Sequence, residues 1–149
     1  MRVLVQEVKY ASVTIDGEKI ASIGRGFLLF VGFNNEDTED ILPKMADKVV
    51  KLRIFPDENG KTNKSLTDVG GEILSVSQFT LYASAKDGNR PSFVNAMRPE
   101  LSSPLFDKWN ELLRERFPKV QTGVFGADMK VELLNDGPFT LILDSRELF

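Results

Sequence analysis

Apolar positions in the first 33 residues follow strand spacing. Val3, Leu4 and Val5 open a run rich in β-branched residues, and Val13 and Ile15 alternate with Ser12 and Thr14 at period two. Asp16-Gly17 supplies a hairpin pair, since both central positions of a tight turn take positive φ. The chain returns through 20–23, and 26–33 is an unbroken apolar run of the kind found in strands buried on both faces. A helix is predicted next. Ile41, Met45, Val49 and Leu52 share one face, Thr38 or Asp40 caps it with acidic residues in its first turn, and Pro43 sits near the start, where its missing N–H is harmless. Residues 56–60, Pro-Asp-Glu-Asn-Gly, read as a turn.

The second half continues the pattern. Residues 73–76 form a short apolar strand that runs into a polar cluster, and 83–99 form a long polar loop. Structureless loops beyond ~12–15 residues in compact domains are usually functional or disordered. The clearest helix follows, with Ser103 as cap, Pro104 in the first turn, a stripe of Leu105, Trp109, Leu112, Leu113 and Phe117 facing the core, and Pro118 as the stop. Strands over 120–124, 129–134 and 139–143 complete the chain. Asn135-Asp136-Gly137-Pro138 between the last two must be a turn or a sheet edge, because proline donates nothing to a ladder. Strands outnumber helices and no βαβ alternation is visible. The expectation is one α+β domain over 1–149, a mainly antiparallel sheet with two packed helices.

Composition narrows the chemistry. The chain of 149 residues contains neither Cys nor His. Thiol nucleophiles, disulfides, Cys or His zinc sites and a Ser-His-Asp triad are excluded, as is an imidazole base near pH 7. An enzyme built from this sequence works with carboxylates, hydroxyls, backbone dipoles or groups brought by its substrate. The net charge of −3 weighs against a large phosphate-tracking surface. One local excess of positive charge stands out, Lys86, Arg90 and Arg98 against Asp87. A solvated loop is the plainer reading of it, and a contact to RNA the sharper one. No apolar stretch approaches the ~20 residues of a membrane span and no secretory leader opens the chain, so a soluble, cytoplasmic protein is expected.

Two segments have the makings of a site. Ser77-Gln78-Phe79-Thr80 places hydroxyls, an amide and an aromatic ring where a rigid strand meets a polar loop. Asn135-Asp136-Gly137-Pro138 contains an X-Pro bond, whose cis form costs only ~0.5–1 kcal/mol. Taken alone, each is more simply a satisfied strand end and an ordinary trans turn.

Together with their neighbours, these segments resemble the D-aminoacyl-tRNA deacylases of the D-tyrosyl type. The likeness spans essentially the whole chain. It takes in Val5-Gln6 and Ala11-Ser12-Val13, Leu52-Arg53-Ile54-Phe55, Ser77-Gln78-Phe79-Thr80-Leu81 and Arg90-Pro91-Ser92-Phe93. It continues through Gly123-Val124-Phe125-Gly126-Ala127-Asp128-Met129 to Asn135-Asp136-Gly137-Pro138. The resemblance implies a homodimer of small β-barrel-like subunits that hydrolyses the ester joining a D-amino acid to the 3′ end of tRNA, with no cofactor and no metal. It implies that Ser77, Gln78, Phe79 and Thr80 line the adenosine and ester pocket, with Phe125 and Met129 as pocket neighbours. Gly137 and Pro138, in the cis form and from the other subunit, act as the chirality filter. Lys86, Arg90 and Arg98 are where tRNA contacts would be sought. Glycyl-tRNA, being achiral, is an implied second substrate.

One position departs from the family pattern: Glu7 follows Gln6 where many members carry Arg to support the Gly-Pro segment. A related group with a trans Gly-Pro shares the fold. Without His or Cys, Thr80 or Ser77 has no evident base to activate it. Assistance from the substrate's 2′-hydroxyl is therefore expected over a covalent esterase using Thr80. The rival from another class is a non-catalytic nucleic-acid-binding module of the same fold.

Overall fold

The computed structural model describes all 149 residues. Its organising element is β1 (Arg2–Ile15), long enough to be shared by three strands. One edge pairs antiparallel with β8 (Lys130–Asp144) along nearly its whole length. The other edge is divided between β3 (Gly26–Gly32) over residues 2–8 and β2 (Glu18–Ile23) over residues 11–15. The β1–β2 hairpin forms at the predicted dipeptide, with φ of 49° at Asp16 and 78° at Gly17. β3 then pairs parallel with β6 (Glu72–Ser77), and β6 pairs parallel with β7 (Val120–Thr122). The sheet nearly closes on itself through one side chain. Ser22 N–H donates to Gln121 Oε1 at 2.8 Å, and Gln121 Nε2–H donates to the Ser22 carbonyl at 2.7 Å, joining β7 to β2.

The expected antiparallel sheet is found in the three ladders made by β1, whereas the two made by β6 are parallel. A helix does cross between β3 and β6: α1 (Ile41–Lys51). The βαβ unit is hard to see in the sequence because a small hairpin, β4 (Phe55–Pro56) and β5 (Thr62–Lys64), and a one-turn helix, α2 (Leu66–Val69), separate α1 from β6. α2 carries a readable signal, a capping box between Ser65 and Asp68 with Gly70 in the left-handed C-cap position.

Helix boundaries differ from expectation in instructive ways. Asp40 stands at the N-cap of α1 but its side chain makes no capping bond, and the first turn contains no acidic residue. α3 spans Pro99–Arg116, so the polar loop ends at Arg98, Ser103 lies inside the helix rather than at its cap, and Pro104 is internal. Pro99 at the first helical position starts the helix earlier, with Arg98 extended before it, the conformation a residue preceding proline prefers. The two strands expected over 129–134 and 139–143 are one continuous strand, β8. A 3₁₀ turn (Phe79–Tyr82) follows β6, and a short α4 (Ser145–Leu148) ends the chain. No helix is long and apolar enough to cross a membrane.

The core has two compartments. The larger, 22 buried residues including Val3, Phe27, Met45 and Trp109, lies between the sheet and helices α1 and α3. The smaller, built from Val8, Ala11, Val13, Ala21, Ile23, Leu28, Leu74 and Val76, fills the barrel. Two compartments follow from β3 being buried on both faces. Trp109 joins helix to sheet: it is fully buried, and its Nε1–H donates to Ser75 Oγ on β6 at 3.2 Å. Trp109→Ala is expected to lower stability by ~3–5 kcal/mol, the range for losing a large buried aromatic, while Trp109→Phe costs less because most of the volume is kept. Urea unfolding midpoints measure both, and a cost below ~1 kcal/mol for the alanine variant would refute this account of the junction.

Candidate functional site

An open cavity of about 570 Å³ lies where β3 and β6 end, walled by the 93–99 segment and the 125–131 segment. The two strand ends come very close together there. A Cβ on Gly32 would lie 2.8 Å from the Gln78 carbonyl oxygen, so only glycine lets the chain after β6 cross at this point. Gln78 N–H donates to the Val31 carbonyl at 2.7 Å and extends the β3–β6 ladder by one bond before the 3₁₀ turn begins. Ser77, Gln78 and Phe79 are thus placed on the cavity wall by parallel-sheet backbone.

The cavity collects some of the predicted residues and leaves others out. Phe125 and Met129 line it together with Ser77, Gln78 and Phe79. Phe79 is 54% exposed and meets Phe93 edge-to-face, with centroids 5.3 Å apart, so an aromatic pair stands at the opening. Thr80 is not in the lining, and its Oγ1 accepts a bond from Gln78 Nε2–H at 2.6 Å. Arg98 lines the wall, whereas Lys86 and Arg90 do not. Asp128 is the one carboxylate in the lining, and it lies 3.3 Å from Lys130 Nζ. Phe93, Met97 and Asp128 were not assigned to a pocket by sequence. Of the three, Phe93 and Asp128 carried a signal, as members of the segments Arg90-Pro91-Ser92-Phe93 and Gly123-Val124-Phe125-Gly126-Ala127-Asp128-Met129.

Gly137 and Pro138 lie elsewhere, exposed and outside the cavity of their own chain. They sit in a bulge. The β1–β8 register passes from Gln6↔Thr140 to Val8↔Asn135, so five steps along β8 oppose two along β1. The Gly137–Pro138 peptide is cis, and Gly137 has φ of 139°, a conformation that L side chains rarely adopt. Asn135 closes the base of the bulge with its side chain: Phe139 N–H donates to Asn135 Oδ1 at 2.7 Å, and Asn135 Nδ2–H donates to the Phe139 carbonyl at 3.1 Å. The same amide nitrogen donates to Gln6 Oε1, and Thr140 Oγ1–H donates to that oxygen at 2.6 Å. Gln6, Asn135 and Thr140 therefore hold the segment, and their role was not read from the sequence beyond the motif. Glu7 is the β1 residue opposite the bulge and is buried at 4% exposure. Burial pushes its carboxyl above the ordinary range, the neighbouring Asp136 carboxylate adds to this, and Arg25 partly offsets it.

The family model described as D-Tyr-tRNA(Tyr) deacylase matches residues 4–144. Among curated proteins, the D-aminoacyl-tRNA deacylase of Lactobacillus acidophilus is 59% identical over 144 residues, covering 97% of this chain and 99% of its own. That of Bacillus velezensis is 56% identical over 147 residues, covering 99% and 100%. Among solved structures, a c-Myc DNA unwinding element binding protein superposes with a TM-score of 0.91 at 43% identity, covering 97% of this chain and 98% of its own. A probable eukaryotic D-amino acid tRNA deacylase superposes with a TM-score of 0.84 at 17% identity, a likeness of fold.

The position of Glu7 makes a pH-dependent prediction. A carboxyl whose folded pKa lies above its unfolded value binds protons more readily in the folded state, so ionising it costs stability. The cost is absent below the ordinary glutamate pKa, grows as pH rises through the raised folded value, and is complete above it. Glu7→Gln should therefore raise the melting temperature at pH 7 and leave it nearly unchanged at pH 4. Melting curves at the two pH values check this; an equal shift at both would mean that charge is not the cause.

Proposed function

Because the chain belongs to the D-Tyr-tRNA(Tyr) deacylase family, it is a D-aminoacyl-tRNA deacylase, a hydrolase of the aminoacyl ester bond, and we propose how its residues divide that work. The observation that carries the proposal is the gathering of Ser77, Gln78, Phe79, Phe125 and Met129 around one cavity of about 570 Å³. In this reading the terminal adenosine and its ester enter there, with the base against the Phe79 and Phe93 rings. Thr80 acts through Gln78, fixing the orientation of the amide. Arg98 at the rim is the favoured contact for the tRNA backbone, with Lys86 and Arg90 further out. The reaction belongs in the cytoplasm, where tRNA is charged.

The chemistry needs little from side chains. Water adds to the ester carbonyl, the bond to the ribose 3′-oxygen breaks, and the free D-amino acid and a tRNA with a 3′-hydroxyl leave. Oriented reactants alone offer ~7–11 kcal/mol of barrier reduction. Thr80 Oγ1 is bonded to an amide donor, which takes no proton from a hydroxyl, so nothing there generates an alkoxide. The substrate's 2′-hydroxyl lies beside the ester by covalent necessity and is the better-placed assistant. A covalent route through Thr80 lacks its base.

Selectivity is assigned to a second copy of the chain. Gly137 and Pro138 are exposed and away from their own cavity, as a device acting in trans would be. Leu134 at 45% exposure and Ile142 at 64% leave apolar surface on the same strand for a homodimer to cover. Main-chain atoms of the Gly137-Pro138 segment reaching the partner's ester leave no room for an L side chain, while an achiral glycyl ester passes. D-aminoacyl-tRNA is thus the main substrate and glycyl-tRNA a second.

Two outcomes test these assignments. Gly137→Val adds a Cβ only 3.0 Å from the Phe139 nitrogen and intrudes on the ester. D-ester hydrolysis should fall by about a hundredfold or more, the scale of one misplaced group, with folding and dimerisation intact by circular dichroism and light scattering. Unchanged activity would place the segment away from the substrate. In single-turnover assays, Thr80→Ala should keep activity within about tenfold, whereas a terminal 2′-deoxy ester should lose on the order of 10²-fold, the lower range for a lost proton-transfer group. A dead Thr80→Ala enzyme with a fully cleaved deoxy ester would reverse the mechanism.

A further inference from the structure

A second cavity, about 370 Å³ and inside the ~300–1,000 Å³ range of ligand sites, backs onto the first. Residues adjacent in the chain line one or the other. Phe33 faces the first cavity and Asn34 the second, Ala96 the first and Asn95 the second. Phe79 and Tyr82, at opposite ends of one 3₁₀ turn, face the first and the second. The Asn34–Ala96 β-bridge ties the two segments together. Nothing derived so far uses the second cavity.

Its lining is polar, and its charges are already matched. Arg2 Nε–H donates to Asp144 Oδ2 at 3.0 Å and its Nη1–H to the Leu81 carbonyl at 2.8 Å, which fixes the guanidinium over the Tyr82 ring, 4.6 Å from its centroid. The Arg2 side chain still keeps 39% exposure. Arg146 pairs with Glu36 at 3.4 Å. With each guanidinium facing a carboxylate, the cavity offers no surplus positive charge to a phosphate. What it offers is a flat guanidinium and the polar side chains of Asn35, Ser84 and Asn95. Asn34 Nδ2 and the Tyr82 hydroxyl are buried, in residues 3% and 5% exposed, and have no hydrogen-bond partner in the chain. Buried polar groups are normally paired.

Planar stacking together with mixed donors and acceptors is how proteins take unstacked bases of single-stranded RNA. We propose that this second cavity receives the nucleobase next to the esterified adenosine, one step in the 5′ direction along the single-stranded end of the tRNA. The inference rests on the reading of the first cavity as the adenosine and ester pocket. A strand whose last nucleotide occupies that pocket passes over residues 95–96, and its preceding base meets the Arg2 plane and the asparagine amides. The enzyme thereby adds a base contact to the few backbone contacts assigned to Arg98 and its neighbours, in keeping with its net charge of −3.

The test pairs a protein change with an RNA change. Asn95→Ala and Arg146→Ala, both at exposed positions, are combined in one variant. The RNA is an acceptor-stem hairpin with a single-stranded 3′ end, either intact or abasic at the penultimate position. Binding of the uncharged hairpins, followed by fluorescence anisotropy, reads the contact without turnover. Removing the base should weaken wild-type binding about tenfold or more and change binding to the double variant by less than twofold. Hydrolysis of a D-aminoacyl ester of adenosine alone should be the same for both proteins. The inference is overturned if the wild type binds both hairpins equally, or if removing the base weakens the variant as much as the wild type. It also fails if the double variant is monomeric where the wild type is a dimer, since the cavity would then belong to an interface. Wild-type enzyme that distinguishes the hairpins but cleaves no D-ester would overturn the reading of the first cavity alone.

Discussion

The β1–β8 ladder is the constraint from which the rest of the structure follows. β1 gives one edge to β8 and divides the other between β3 and β2, so any slip in its register moves three strands at once. The ladder nevertheless contains a fault, three surplus residues of β8 that bulge out between Asn135 and Thr140. A bulge at this point is tolerable because regular pairing on both sides, residues 2–6 and 10–14 of β1, fixes where the irregular stretch begins and ends. The segment of least regular backbone is thus carried by the most extensively paired strand. That arrangement suits a group that must meet another molecule in one orientation.

Asparagine at position 135 answers a specific shortage. Pro138 has no N–H, and the residues around it leave the ladder, so the main chain cannot bridge the base of the bulge by itself. The Asn135 amide has one acceptor and two donors, and it uses both kinds on Phe139 while also reaching Gln6. Aspartate in its place would set a carboxylate oxygen against the Phe139 carbonyl and Gln6 Oε1, since it brings no N–H. The charge at position 7 then matters less for holding the segment than for what it costs. Glu7 lies in the gap opposite the bulge with Asp136 nearby, and the clamp is completed without it.

Legibility in the sequence followed the range of the interactions. The β1–β2 hairpin, the doubly buried β3 and the core face of α3 were readable because each is written in neighbouring residues: Asp16-Gly17, the run over 26–33, and Trp109 with Leu112 and Leu113. The start of α3 was misplaced because Ser103-Pro104 mimics a capped first turn, while Pro99, five residues earlier, does the same job with a better entry conformation. The parallel pairing of β6 with β3 and β7 depends on contacts across some 45 residues of chain, for which local periodicity carries no signal. At the site, the motif residues came from resemblance, and the cavity brought most of them together. Thr80 fell outside because the 3₁₀ turn rotates it off the wall, a conformation that alternation along a strand does not anticipate.

The absence of imidazole and thiol shapes the site more than any residue in it. A cavity whose lining contains one exposed carboxylate and one guanidinium has little to offer as acid or base. It can hold a reactive ester still and exclude what does not fit. In the proposed reading both tasks fall to main chain and rigid aromatics, each of them braced: Gln78 at the end of a parallel ladder, Phe79 against Phe93, Gly137 and Pro138 above the Asn135 clamp. Side-chain catalysts are lost one at a time by substitution, but a site of this kind fails chiefly when its framework shifts. In that reading, activity is tied to register and packing, and framework residues, Gly32 in the cavity wall and Gln6 beneath the Gly137-Pro138 segment, count alongside those that touch the ester.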